Sequence, residues 1–149
     1  MNRFPTRVLV AAALAASLTV AACGGDDGEL DVRSVDSAEV RLEVDEPVRS
    51  GSSVTWRVVV DVPEATPVTY TSGQDAEVVV TGPTGEWRWS DDRMFAQGLR
   101  EGTLPAGETT FELTTEALDL PPGEYRAEAR LSTRQPFRAP ARTITVVPG

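Results

Sequence analysis

One cysteine, two Asp-Asp pairs and fourteen arginines are the residues of this chain whose side chains could do chemistry; lysine and histidine are absent. Without histidine, the Ser-His-Asp and Cys-His arrangements and the commonest general base are unavailable. The usual zinc sites also need histidine or cysteine. Carboxylate pairs remain, in Asp26-Asp27 and Asp91-Asp92. Scattered among 23 acidic residues, they read as solvated surface, and no D-x-D-x-D-G calcium loop accompanies them. No catalytic residue, metal ligand or cofactor is expected, and the chain is not expected to be an enzyme. The arginines could hold an anion. Arg126 and Arg130 share one strand face, but Glu128 stands between them. A paired, exposed sheet face is the plainer alternative.

Cys23 has the most definite chemistry. Arg3 and Arg7 precede an apolar run, Val8 to Val20, and Val20-Ala21-Ala22-Cys23 ends it. A basic start, a short apolar stretch and small residues at the cut make a secretory signal. The stretch is shorter than the about 20 residues a membrane span needs. A lone cysteine behind two alanines resembles a bacterial lipobox, with Val20 where leucine is commoner. Residues 1–22 are therefore expected to be a lipoprotein signal peptide and Cys23 the lipidated residue. Ordinary secretion with a free thiol is the alternative. The acidic Gly24 to Asp31 stretch makes 23–31 a flexible tether. Acyl chains contribute about 0.8 kcal/mol per buried CH₂, so two or three anchor firmly.

Cleavage before Cys23 removes Arg3 and Arg7. It leaves 12 arginines against 23 acids, a balance of 12 − 23 = −11. That charge disfavours nucleic acid and anionic lipid surfaces. The expected location is the outer face of the cytoplasmic membrane or the cell envelope, held there by lipid.

Residues 32–149 must supply the domain. Period-two alternation dominates it. Ala38, Val40, Leu42 and Val44 form one apolar face. Val54, Trp56, Val58, Val60 and Val62 form the longest, with Val59 as the exception on the polar side. Shorter runs follow at Val68 and Tyr70, at Ala76 to Val80, and at Trp87 and Trp89. Later runs lie at Thr109 to Thr114, Tyr125 to Leu131, and Thr143 to Val147. Pro105-Ala106-Gly107 and Pro121-Pro122-Gly123 punctuate them. The one helical stretch predicted is a turn or two over Asp92 to Leu99, with Asp91 as N-cap. Seven to eight short strands predict an all-β, immunoglobulin-like antiparallel β-sandwich.

Ser72-Gly73-Gln74, Trp87-Arg88-Trp89-Ser90, Phe95 with Gln97, Leu104 to Glu108 and Pro122 to Tyr125 follow one another in order, and through them the stretch from Val68 to Leu131 resembles the BsuPI domain, the family of an intracellular proteinase inhibitor. Ser72-Gly73-Gln74 is similar to its S-G-Q, with Ala76 where an aromatic often follows. Trp87-Arg88-Trp89-Ser90 is similar to W-r-W-S, and Phe95 with Gln97 to F-x-Q. Leu104-Pro105-Ala106-Gly107-Glu108 resembles L-x-P-G-E, with Ala106 added. Pro122-Gly123-Glu124-Tyr125 resembles P-G-x-Y. Five such pieces in order cover just under half the chain. The resemblance implies a sandwich that binds and inhibits a serine protease, acting as a monomer. The family's namesake is cytoplasmic, so an exported chain would meet a different protease. A non-inhibitory immunoglobulin-like interaction module at the cell surface is the alternative.

Inhibition needs a preorganised extended segment rather than a catalytic group. Ser90 to Thr103 offers one, with Asp91, Asp92, Arg93 and Met94 as the candidate contact loop. Pro63 to Pro67 is a second. The plainer expectation for Phe95 and Leu99 is that they plug the sandwich edge. For Arg93 it is solvation or an ion pair with Asp91 or Asp92. Alternation puts Trp87 and Trp89 on one face, expected to point into the core.

Overall fold

The computed structural model describes residues 37–149, which form ten strands and no helix. Cys23, the stretches expected to be a leader and a tether, and Asp26-Asp27 lie outside the described residues. In chain order the strands are β1 (Glu39–Val44), β2 (Val48–Arg49), β3 (Val54–Val62), β4 (Thr66–Ser72) and β5 (Ala76–Gly82). They continue with β6 (Gly85–Arg88), β7 (Gln97–Leu104), β8 (Gly107–Thr115), β9 (Gly123–Leu131) and β10 (Arg142–Val147).

Two sheets make the sandwich. One has the order β1-β3-β8 and the other β2-β10-β9-β5-β6; β4 and β7 form a separate two-stranded ribbon. All pairings are antiparallel except that of β10 with β2. The eight alternating runs of the sequence all form strands. The count is nevertheless ten rather than seven to eight, because β2 and β7 add to it. Neither shows apolar alternation. β2 has two residues, and β7 reads Gln-Gly-Leu-Arg-Glu-Gly-Thr-Leu with most positions exposed. Pairing with β4 makes β7 a strand, which a pattern of burial along one segment does not report. The predicted helix over Asp92 to Leu99 is absent: turns occupy its start, and β7 begins at Gln97.

The core sits between the two sheets. Trp56, Val58, Val60 and Val62 of β3 face Val78 and Val80 of β5, Tyr125 to Leu131 of β9 and Ile144 of β10. Trp56 is fully buried, and its Nε1 donates to Thr115 Oγ1 at 3.4 Å. An indole buries roughly 200 Å², or up to about 5 kcal/mol of transfer free energy. Val59 is buried although it belongs to the outer face. It stands between Arg41 and Thr110 in register, in the middle strand of its sheet.

Tyr125 supports the immunoglobulin-like assignment. Its hydroxyl donates to the Pro121 carbonyl at 2.8 Å, four residues upstream, as in a tyrosine corner. Gly82 lies against its ring, and any Cβ there would overlap it. The Pro122-Gly123-Glu124-Tyr125 piece therefore serves to lock β9 to the preceding loop.

Candidate functional site

Three of the family-like pieces, Ser72-Gly73-Gln74, Trp87 to Ser90, and Phe95 with Gln97, gather around one loop between β6 and β7. Ser72 Oγ accepts from the Gln74 N–H at 3.1 Å, and Gln74 Nε2 donates to the Ala76 carbonyl at 2.9 Å. This turn presents the Gly73 N–H to the Ala96 carbonyl at 2.8 Å. A Cβ at Gly73 would approach Ala96 N to 3.2 Å, so the two backbones pass each other tightly here. Ser72 and Gln97 are register partners across β4 and β7. Farther along, Gly107 has φ of +92° where the chain leaves β7 for β8, and Glu108 then pairs with Arg41 at 2.6 Å.

The near flank of the loop is tied just as closely. The Asp91 carboxylate accepts from the Arg88 N–H at 3.1 Å, and the Arg93 N–H donates to the Ser90 carbonyl at 3.0 Å. Ser90 is held by Glu77. One Glu77 oxygen accepts from the Ser90 N–H at 3.2 Å, and the other takes the Ser90 hydroxyl. Glu77 is only 5% exposed, and it also accepts from its neighbour's Val78 N–H at 3.2 Å. A buried carboxylate is tolerated when donors satisfy it.

Arg93 closes the arrangement. Its guanidinium lies 4.0 Å from the Trp89 ring centre. It donates to the Trp89 carbonyl at 2.5 Å and to the Thr114 carbonyl at 2.7 Å. Trp89 Nε1 reaches the same Thr114 carbonyl at 3.1 Å. Thr114 is on β8, the edge strand of its sheet, so these donors both cap an open edge and join the two sheets. Phe95 stacks on Trp89 with ring centres 5.8 Å apart.

These contacts revise several expectations. Arg93 goes to main-chain carbonyls and an indole, not to Asp91 or Asp92. Trp87 and Trp89 are half-buried rather than fully inside: Trp87 packs on Trp56 with ring centres 6.0 Å apart, and Trp89 covers the side of the sandwich. Phe95 packs on that side, whereas Leu99 is 58% exposed and plugs nothing. Asp91 and Asp92 are exposed, and Met94 stands fully out in solvent at the loop's tip. Glu77 and the Thr114 carbonyl had no signal in the sequence. Glu77 occupies a polar position of an alternating strand, and its burial comes from Ser90 folding over it.

Residues 38–136 match the BsuPI family, described as intracellular proteinase inhibitor. The chain belongs to the BsuPI family. The BsuPI match extends beyond Val68 to Leu131 on both sides and takes in β1 to β3. None of the curated protein sequences matches the chain.

Among solved structures, this BsuPI domain is similar to the CARDB domain of the PF1109 protein from Pyrococcus furiosus, solved in complex with di-metal ions. The identity is 15%, over 74% of this chain and 87% of that one, with a TM-score of 0.46. It is also similar to the sporulation control protein Spo0M from Bacillus subtilis, at 18% identity over 74% of this chain and 49% of that one, TM-score 0.45. A β-glucosidase from Listeria innocua is similar at 16% identity over 75% of this chain and 16% of the enzyme, TM-score 0.41. These are likenesses of fold alone. Among the described residues, no group of three or more acidic or cysteine side chains is placed to hold a metal ion.

Proposed function

We propose that this chain is an exported, lipid-anchored BsuPI domain that binds and inhibits a serine protease through the loop from Ser90 to Ala96. The observation that carries the reading is Met94, fully exposed on a loop whose two flanks are tied at Ser90, Arg93 and Ala96. An apolar side chain held out by a preorganised loop loses little ordering entropy on entering a pocket. Arg93 is engaged at home, so the side chain offered to a specificity pocket is Met94. That chemistry suits the apolar pocket of a subtilisin-type protease better than the acidic pocket of a trypsin-type one. Family membership supports a protease partner in general, and inhibition by binding needs no catalytic group.

The test is an inhibition panel with subtilisin-type and trypsin-type proteases. Inhibition of the first class is expected. Met94→Ala should weaken it by about 30-fold, the loss of a buried anchor residue. Stability should stay within about 0.5 kcal/mol, since Met94 contacts only solvent. No inhibition at tens of micromolar inhibitor, a range about ten times weaker than a micromolar complex, would remove the proposal. Anchoring at Cys23 is tested separately by labelling cells with a clickable fatty acid. Absence of label from the wild-type chain, or label that persists in Cys23→Ser, counts against it.

A second reading, docking without inhibition, is favoured by β7. It pairs only with β4, and its other edge is open among the described residues. An open edge can add a partner's strand. Pull-down from membranes separates the two: a protease as partner supports the first reading, a non-protease envelope protein the second.

A further inference from the structure

The arginines of this acidic domain divide into two groups. Arg41, Arg57, Arg88, Arg100, Arg126 and Arg142 each have a carboxylate within 4 Å. Arg93 is spent on carbonyls. Among the other arginines of the described residues, Arg130, Arg134 and Arg138 also lack an acidic partner, and all three line one groove of about 330 Å³ at the end of β9.

The backbone forces two of them together. The Leu131 N–H donates to the Phe137 carbonyl at 3.0 Å, and the Ala139 N–H to the Ala129 carbonyl at 2.8 Å. These two bonds flank Arg130 and Arg138, which are therefore a non-hydrogen-bonded antiparallel pair. In such pairs the side chains are closest, with Cα atoms about 4.5 Å apart. Phe137 and Ala139 are buried, so Arg138 points outward, as Arg130 does. Like charges directly opposite each other destabilise a sheet. Arg134 sits at the turn of the same hairpin, fixed by its N–H to the Thr69 carbonyl at 2.8 Å.

Neither arginine of this pair has a carboxylate within ion-pair distance among the described residues. Glu77 is opposite Arg130 across β5 and β9 and also lines the groove, but its oxygens accept from Ser90 and Val78 and form no ion pair with Arg130. Glu128 is paired with Arg126 at 2.9 Å. A second depression of about 260 Å³ begins on the far side of Arg130 and Arg138, so the pair forms a ridge between two hollows.

We infer that Arg130, Arg134 and Arg138 form a binding site for a phosphoryl dianion. Two arginines opposite each other in register and a third at the turn, all lining one groove, supply N–H donors of the kind that phosphate oxygens accept. A single carboxylate would leave much of that charge unmet. The unliganded pair costs stability, and the bound dianion removes the cost.

The test uses the purified full chain at low ionic strength, with inorganic phosphate and glycerol phosphate as probes. Arginine Nε–H resonances and thermal unfolding are the readouts. Saturable shifts with a dissociation constant of about 1 mM are expected for phosphate. Tighter binding of glycerol phosphate would point to a phosphate ester as the natural source, and equal binding to free phosphate. Arg130→Gln and Arg138→Gln should each weaken binding about tenfold, and Arg134→Gln should weaken it less. Arg49→Gln, away from the groove, should leave it unchanged. Arg138→Gln should also raise the melting temperature without phosphate while shrinking the phosphate-induced rise. Shifts that never saturate, equal losses in Arg49→Gln, or a phosphate response undiminished in Arg138→Gln would overturn the site.

Discussion

Replacing Arg93 by alanine tests whether the loop is stapled or merely drawn near the sandwich. The variant loses donors to the Trp89 and Thr114 carbonyls and the stack on Trp89. Hydrogen bonds from a charged donor contribute about 1.5–3 kcal/mol each, and a half-exposed cation–π contact about 0.5–1. Two corrections reduce the sum. Arg93 is half-buried, so water replaces part of what is lost. Thr114 keeps the Trp89 indole as a donor, so its carbonyl is not orphaned. A net loss of about 2 kcal/mol follows. In a domain of this size that lowers the melting temperature by about 8 °C. Arg93→Lys should recover little of it, because an ammonium cannot reach both carbonyls as a planar fork does. Urea unfolding followed by tryptophan fluorescence measures both variants. A loss under about 0.5 kcal/mol for Arg93→Ala, the usual value for a solvated surface charge, would refute the stapling argument.

Ser90→Ala should cost about 1–3 kcal/mol by equilibrium unfolding, because the buried Glu77 oxygen loses its donor. Gly82→Ala should cost about 1–3 kcal/mol by overpacking against the Tyr125 ring, and Tyr125→Phe about 1 kcal/mol through the lost bond to Pro121. Stability should fall at alkaline pH through Tyr70. Burial and, secondarily, Asp75 hold its phenol above the ordinary value of 10.0, while Arg100 over the ring opposes them. The unfolded chain then ionises first, so the stabilisation is complete below about pH 10 and is lost as pH rises through the folded value. Tyr70→Phe should flatten that part of the stability profile, and an unchanged slope would count against it.

Legibility in the sequence followed periodicity. The runs at Val54 to Val62 and Tyr125 to Leu131 declare strands because every second side chain enters one core, and burial repeats with the backbone's own period. β7 gave no such signal, since its face is solvent and its pairing partner lies 25 or more residues earlier. The apparent helix at Asp92 to Leu99 rested on a weak local signal and on Asp91 as N-cap, and the bond from Gly73 to Ala96 overrides it.

The same division holds for the site. Ser72, Gly73, Gln74, Trp89, Ser90, Phe95 and Gln97 were recognisable as a family pattern, but a pattern along the chain does not say what its members touch. Only the folded chain brings the Gly73 turn, Glu77 and Thr114 around one loop, because these contacts cross from one sheet or ribbon to another. Arg93 and Met94 are neighbours in sequence and equally exposed in prospect. Tertiary structure separates them, turning one onto Trp89 and leaving the other in water. Sequence by itself determined an all-β sandwich of the BsuPI kind, through local alternation and ordered motifs. The three-dimensional packing decided which side chains are scaffold and which are free to meet a partner, because burial and hydrogen bonding there depend on residues far apart in the chain.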